Sequence, residues 1–159
     1  MDSISSYEEM VRFFTETGLL HQAEPAEALV KIPVRKGALD GVMFIRWQAD
    51  HQVLHFIQSI PVEIPVERLP AVALASAILN HAMPIPGFGI NVGSRQGYFR
   101  ITMPLRPDGT LARSEIQGLF NLAVRTAAEH HGALREVALN NADPMQILQA
   151  TAVAAGAPD

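Results

Sequence analysis

"GVMFIRWQADHQVLHFIQSIPV", residues 41–62, is the stretch on which the fold turns. Gly41 to Gln48 and Gln52 to Val62 are two β-rich runs, and only Ala49-Asp50-His51 separates them. Runs of that composition joined by so short a break read as an antiparallel hairpin. Pro61 and Pro65 are expected to close it, with Pro65 placed to start the next helix.

Upstream, "EALVKIPVR" places Ala28, Val30, Ile32 and Val34 on one face and Lys31, Pro33 and Arg35 on the other, as in a half-buried strand. A proline cannot donate to a ladder, so this strand should lie at an edge or carry Pro33 at a bulge. Before it, Ser6 and Glu9 have capping-box spacing, with each side chain expected to satisfy an orphan amide. Met10, Phe13, Phe14 and Thr17 follow at helical spacing, and Gly18 suits a left-handed stop.

Downstream, "VERLPAVALASAILNHAM" carries Leu69, Val72, Ala73, Ser76, Leu79 and Met83 as one helical stripe. "NHAMPIPGFGIN" (80–91) then ends that helix, and its prolines and glycines lead into a strand. Phosphate loops run the other way, from strand into helix, so this stretch reads as a connector. Phe88, Ile90 and Val92 alternate with small or polar residues, as do Phe99, Ile101 and Met103. Ser94-Arg95-Gln96-Gly97 is the expected turn between them. "RPDG" (106–109) is another turn. A long helix begins near Ser114 with Ile116, Leu119, Phe120, Ala123, Val124 and Ala127 inward. Asp143-Pro144 looks like the start of an alanine-rich tail that ends near Gly156.

The resulting order is α-β-β-β-α-β-β-α plus a C-terminal helical tail. It specifies an α+β fold: a single twisted antiparallel sheet of about five strands, with the middle and long helices packed on one face. Residues 1–142 form one domain and 143–159 the tail.

The 159 residues are 48% hydrophobic and 18% charged, enough for one core without staples. The absence of cysteine removes disulfides, thiolate metal sites and a cysteine nucleophile. "MDSISSYEEM" does not read as a secretory signal, and no apolar run approaches the roughly 20 residues of a membrane span. A cytoplasmic protein without a membrane partner is the expectation. A net charge of −4 disfavours nucleic acid, whose affinity comes mostly from phosphate neutralisation. Only Lys31 and Lys36 are lysine, and the remaining cations are arginine, suited to local carboxylate contacts.

Candidates for catalysis are all engaged otherwise. Asp40, Asp50, Asp108 and Asp143 fall in expected turns or caps. His130 and His131 are adjacent and diverge on a helix, while His51 and His55 sit on a hairpin without chelating geometry. Gly93-Ser94-Arg95-Gln96-Gly97 is not a nucleophile elbow. No catalytic residue, metal or cofactor is expected. Tyr98 with Arg100, and Arg46 with Trp47, could form a stacking platform for single strands. The acidic balance favours a protein contact instead, so Arg46, Trp47, Tyr98 and Arg100 are candidate partner-binding residues. Leu74 and Ile78 lie off the main stripe of the middle helix. Leu74, Ala75, Ile78 and Ala71 are therefore candidates for a homodimer contact.

The element order, together with "ILNHAMPIPGFGINVGSRQGYFRITMPLRPDGTLARSEIQGLFNLAVRTAA", resembles the bacterial YbjN-like family and, more broadly, the type III secretion chaperone fold. The resemblance lies in the helix ending at Leu79-Asn80, the Pro86 to Phe88 entry, the Gly97 hairpin with Arg100, and Asp108-Gly109 before the long helix. It implies a small dimeric module that binds a segment of a partner protein and has no active site. The alternative it implies is a small-ligand-binding or sensory-transduction regulator.

Overall fold

The computed structural model describes residues 3–154, with backbone alone from Thr151 onward. The expected end of the tail near Gly156 lies outside the described residues. In chain order the elements are β1 (Ser3–Ile4), α1 (Tyr7–Glu16), β2 (Gln22–Glu24), β3 (Leu29–Lys36), β4 (Leu39–Gln48) and β5 (Val53–Glu63). Then come α2 (Leu69–Ala82), β6 (Phe88–Asn91), β7 (Gln96–Pro104), β8 (Leu111–Ala112), α3 (Arg113–Leu139) and α4 (Met145–Ala154). Six strands form one antiparallel sheet in the order β2-β3-β4-β5-β7-β6, and β1 pairs with β8 in a second, two-stranded sheet.

The α+β architecture and the expected hairpin between β4 and β5 are both present, with Ala49–His51 as a 3-10 turn between the strands. Phe99 and Ile101 are buried, as the inward face of β7 requires. The sheet is wider than the five strands expected, because β2 adds three residues along β3. That strand and the β1–β8 pair are too short to show a period of two.

Several boundaries differ from expectation for local reasons. Ala28 is not in the strand: it adopts φ +48 after a 3-10 turn at Pro25–Glu27. Pro61 lies within β5 instead of ending it, beside a register shift between Ile60 and Glu63 where no ladder donor is needed. Pro33 is beyond the last residue paired to β2, so the edge expectation holds at that position. Val92 belongs to the β6–β7 turn and is 70% exposed. Asn91 Oδ1 accepts from the Ser94 amide and turns the chain earlier than Ser94.

The helix ends follow capping logic with two changes of partner. Ser6 Oγ accepts from the Glu9 amide, but Glu9 reaches back to Ser5 N and Oγ and not to Ser6. Ala112 has no side chain to cap α3, so Glu115 in the first turn accepts from the Ala112 amide at 2.7 Å. Arg68 donates to the carbonyls of Val137 and Ala142, closing the other end of α3. Asp143 caps the start of α4 through Met145 N, as expected.

All the helices gather on one side of the six-stranded sheet. α3 lies against β5 and β7 and also reaches β3 and β4, while α2 lies between α3 and β6. α1 joins through Phe14, whose ring is 6.5 Å from Phe120, and through a Glu16–Arg113 ion pair at 2.6 Å. Ile147 of α4 is part of the same core, which is a single contiguous cluster.

Candidate functional site: the open face of the sheet

Alternation sends Val30, Ile32, Met43, Ile45, Leu54, Phe56, Phe99 and Ile101 under the helices, where all are buried. The intervening residues project from the opposite face, and that face is not uniformly polar. Val42, Phe44 and Ile57 stand there half-buried. Strand register sets Lys31, Phe44, Ile57 and Arg100 side by side across four strands, with Leu29, Arg46, His55 and Thr102 as the next row. A groove of about 300 Å³ opens on this face. Its walls are Leu29, Phe44, Arg46, Ile57 and Tyr98, closed at one end by the turn at Asn91 and Ser94. No helix lines it.

Tyr98 is positioned by an absent side chain. A Cβ on Gly89 would stand 2.6 Å from the Tyr98 ring, so the tyrosine occupies the space that glycine leaves on the edge strand. The Arg100 guanidinium lies 5.9 Å from the centre of the same ring, in cation–π range. Lys31, Arg35 and Arg46 pair with Glu24, Asp40 and Glu27 respectively. Arg100 has no carboxylate partner among the described residues.

His55 sits among these groups. Gln48 Oε1 accepts from Nε2 at 2.9 Å, which leaves Nδ1 to accept from the Thr102 hydroxyl at 2.9 Å. Partial burial, followed by Arg100, Arg46 and His51 nearby, holds its pKa below the usual imidazole range. The ring is thereby kept neutral, with both nitrogens occupied.

Of the four candidate partner-binding residues, Arg46, Tyr98 and Arg100 come together on this face. Trp47 does not. It is adjacent to Arg46 on a strand, so it points the other way and is 5% exposed in the core. The same kind of correction applies to the middle helix. Ala75 is fully buried beside Val72 and Leu79, which excludes it from any surface contact. Leu74 is 47% exposed, and Ala71 and Ile78 are half-buried. Ala73, expected on the inward stripe, faces solvent instead. The apolar residues that sequence reasoning missed are Val42, Phe44 and Ile57. Consecutive hydrophobic residues at Val42 to Ile45 were the available signal, since such a run must expose every second side chain on a one-sided sheet.

The connector at residues 80–91 joins structure to structure. Asn80 Oδ1 accepts from the Gly87 and Phe88 amides and Nδ2 donates to Phe88 O, which ties the end of α2 to the start of β6. Gly87 lies so close to β7 that a Cβ would meet Arg100 O at 2.2 Å. Three histidines have local duties: His130 meets Phe88 edge-on, His131 bonds Ala128 O, and His21 bonds Leu19 O. Asp108 closes its turn on Thr110, while Asp40 lies in β4 and pairs across the ladder with Arg35, which corrects its expected place in a turn. Among the described residues no group of three or more His, Cys, Asp or Glu side chains is arranged to hold a metal ion. No helix of these residues is long and apolar enough to cross a membrane.

Residues 11–136 match the family model YbjN, described as "Putative bacterial sensory transduction regulator". No curated protein sequence matches the chain. In three dimensions the chain is similar to the crystal structure of YbjN, "a putative transcription regulator from E. coli". The TM-score is 0.57 at 10% identity, over 94% of this chain and 93% of that one. At that identity the likeness concerns the fold alone.

Proposed function

The chain belongs to the YbjN family, and from that premise we propose that it is a non-enzymatic bacterial module whose open sheet face holds a segment of a partner protein. One observation carries this reading. Phe44 and Ile57 form a half-buried apolar pair beside a groove with aromatic and arginine walls that no helix of the described residues lines. Aromatic residues and arginine are the types enriched at interfaces. The family's description is that of a regulator, and recognition of another chain is one way to regulate. The resemblance to type III secretion chaperones suggests the same mode of binding. Cytoplasmic placement is proposed with it, and so, on the acidic balance of the sequence, is the lack of a nucleic-acid partner.

A photo-crosslinking amino acid at Ile57, introduced in the source cell, tests the reading against the same group at Arg125 on α3. A discrete crosslinked protein from position 57 alone is the expected result. Equal patterns from both positions would overturn it.

A second reading has its own support. The groove between α2 and β6, about 500 Å³ and lined by Leu69, Ala73, Ala77, Phe88 and Ile90, could seat a small apolar ligand of a sensory regulator. Saturable uptake of a fluorescent apolar probe, abolished by Ala77→Trp, would favour it over the sheet face. A homodimer through Leu74, Ile78 and Ala71 is compatible with either reading. Light scattering at micromolar concentration should then give twice the chain mass for the native protein and the chain mass for Leu74→Glu and Ile78→Glu. A monomeric native protein ends that part of the proposal.

A further inference from the structure

We infer that the segment held by the open face is acidic as well as apolar, and that one of its carboxylates pairs with Arg100. The inference rests on the proposed function and specifies the chemistry of its partner. The chain as a whole carries −4, yet the outward-facing strand residues Lys31, Arg35, Arg46 and Arg100 outnumber the carboxylates Glu24, Asp40 and Glu63 on the same face. Glu24, Asp40 and Glu27 neutralise the first three cations from within the fold. Among the described residues Arg100 is the cation of this face left without a carboxylate, and it is exposed.

Its surroundings favour a fixed geometry. The guanidinium lies in cation–π range of Tyr98, and Tyr98 is seated on Gly89, so the fork has an aromatic surface beside it. Arg100 is directly opposite Ile57, which is opposite Phe44. A segment crossing the strands would therefore lay apolar side chains on Phe44 and Ile57 and reach Arg100 with the next acidic one. His55 is neutral and fully hydrogen-bonded beside this path, so it neither repels a carboxylate nor competes for it. A basic segment would meet Arg46 and Arg100 as like charges, which disfavours it.

The test is selection of peptides from a random 12-residue phage library on the full chain, followed by titration of synthetic copies of the selected sequences. Peptides combining Asp or Glu with apolar residues are expected. Arg100→Glu should weaken them about tenfold, and peptides with Lys in place of the acid should regain affinity for that variant. Raising salt should weaken the native pair and leave the apolar contribution in place. Phe44→Glu, checked for folding by circular dichroism, should abolish binding, with Ile57→Ser as the milder variant if that protein fails to fold. Neutral or basic peptides that need Phe44 but ignore Arg100→Glu would overturn the acidic assignment and leave the binding face standing. Selected peptides that bind independently of Phe44 and Ile57 would overturn both. Self-association abolished by Phe44→Glu, with peptides competing only as monomerising agents, would make a second copy the occupant and likewise overturn the inference.

Discussion

On β4, Met43, Ile45 and Trp47 lie in the core, while Phe44 between them projects from the opposite face and remains half-exposed. β5 repeats the contrast, with Leu54 and Phe56 buried and Ile57 outside. Two faces of one sheet thus carry hydrophobic residues, but helices cover only one of them. The inner residues hold the fold together. The outer ones contribute less to it, and their exposure makes sense if another chain completes the face.

The contrast predicts unequal costs for similar substitutions. Phe56→Ala should lower unfolding free energy by about 3–5 kcal/mol, the range for a fully buried phenylalanine. Phe44→Ala should lose only about 1 kcal/mol, the worth of a cross-strand contact. Urea denaturation compares them directly, and equal losses would break the distinction between the faces. Asn80→Ala tests the clamp at the end of the covered layer. Three hydrogen bonds disappear and two amides lose their acceptor, so a loss of about 1–3 kcal/mol is expected by the same measurement.

The covered face was largely legible from sequence because burial writes a period into the chain. The stripe from Ile116 to Ala127 and the alternation of Phe99 and Ile101 both required cover, and both received it. The open face was harder to read. Arg46, Tyr98 and Arg100 were legible because arginine and tyrosine stand at polar-face positions of two strands. Trp47 was misplaced because its type suggested contact while its position in the alternation put it inside. Ala75 was misplaced because alanine suits solvent and close packing equally, and only the packing of neighbouring elements on α2 decides between them. The Val92 turn depended on one side-chain bond from Asn91, which strand periodicity does not contain.

Two smaller effects are expected, one on each face. Gln58 is a polar residue on the covered face, fully buried, and its Oε1 has no hydrogen-bond partner. Gln58→Met should therefore be neutral or raise stability by up to about 1 kcal/mol, whereas most core changes lower it. On the open face, His55 has a folded-state pKa below the ordinary value of 6.5, so the unfolded chain takes up the proton first. The stability associated with its neutral ring is complete above about pH 6.5 and is lost as pH falls through the folded value. Denaturation midpoints should drop as pH falls below about 6.5, and His55→Gln should flatten that part of the profile.

The central claim is that the outer apolar pair serves binding more than folding. Phe44→Glu, combined with the crosslinking group at Ile57, tests it by reading the urea midpoint and the crosslink yield from one protein. A midpoint near that of the unsubstituted protein is expected, together with loss of the crosslinked partner. A midpoint lowered as far as that of Phe56→Ala, or a crosslink that persists unchanged, would contradict it.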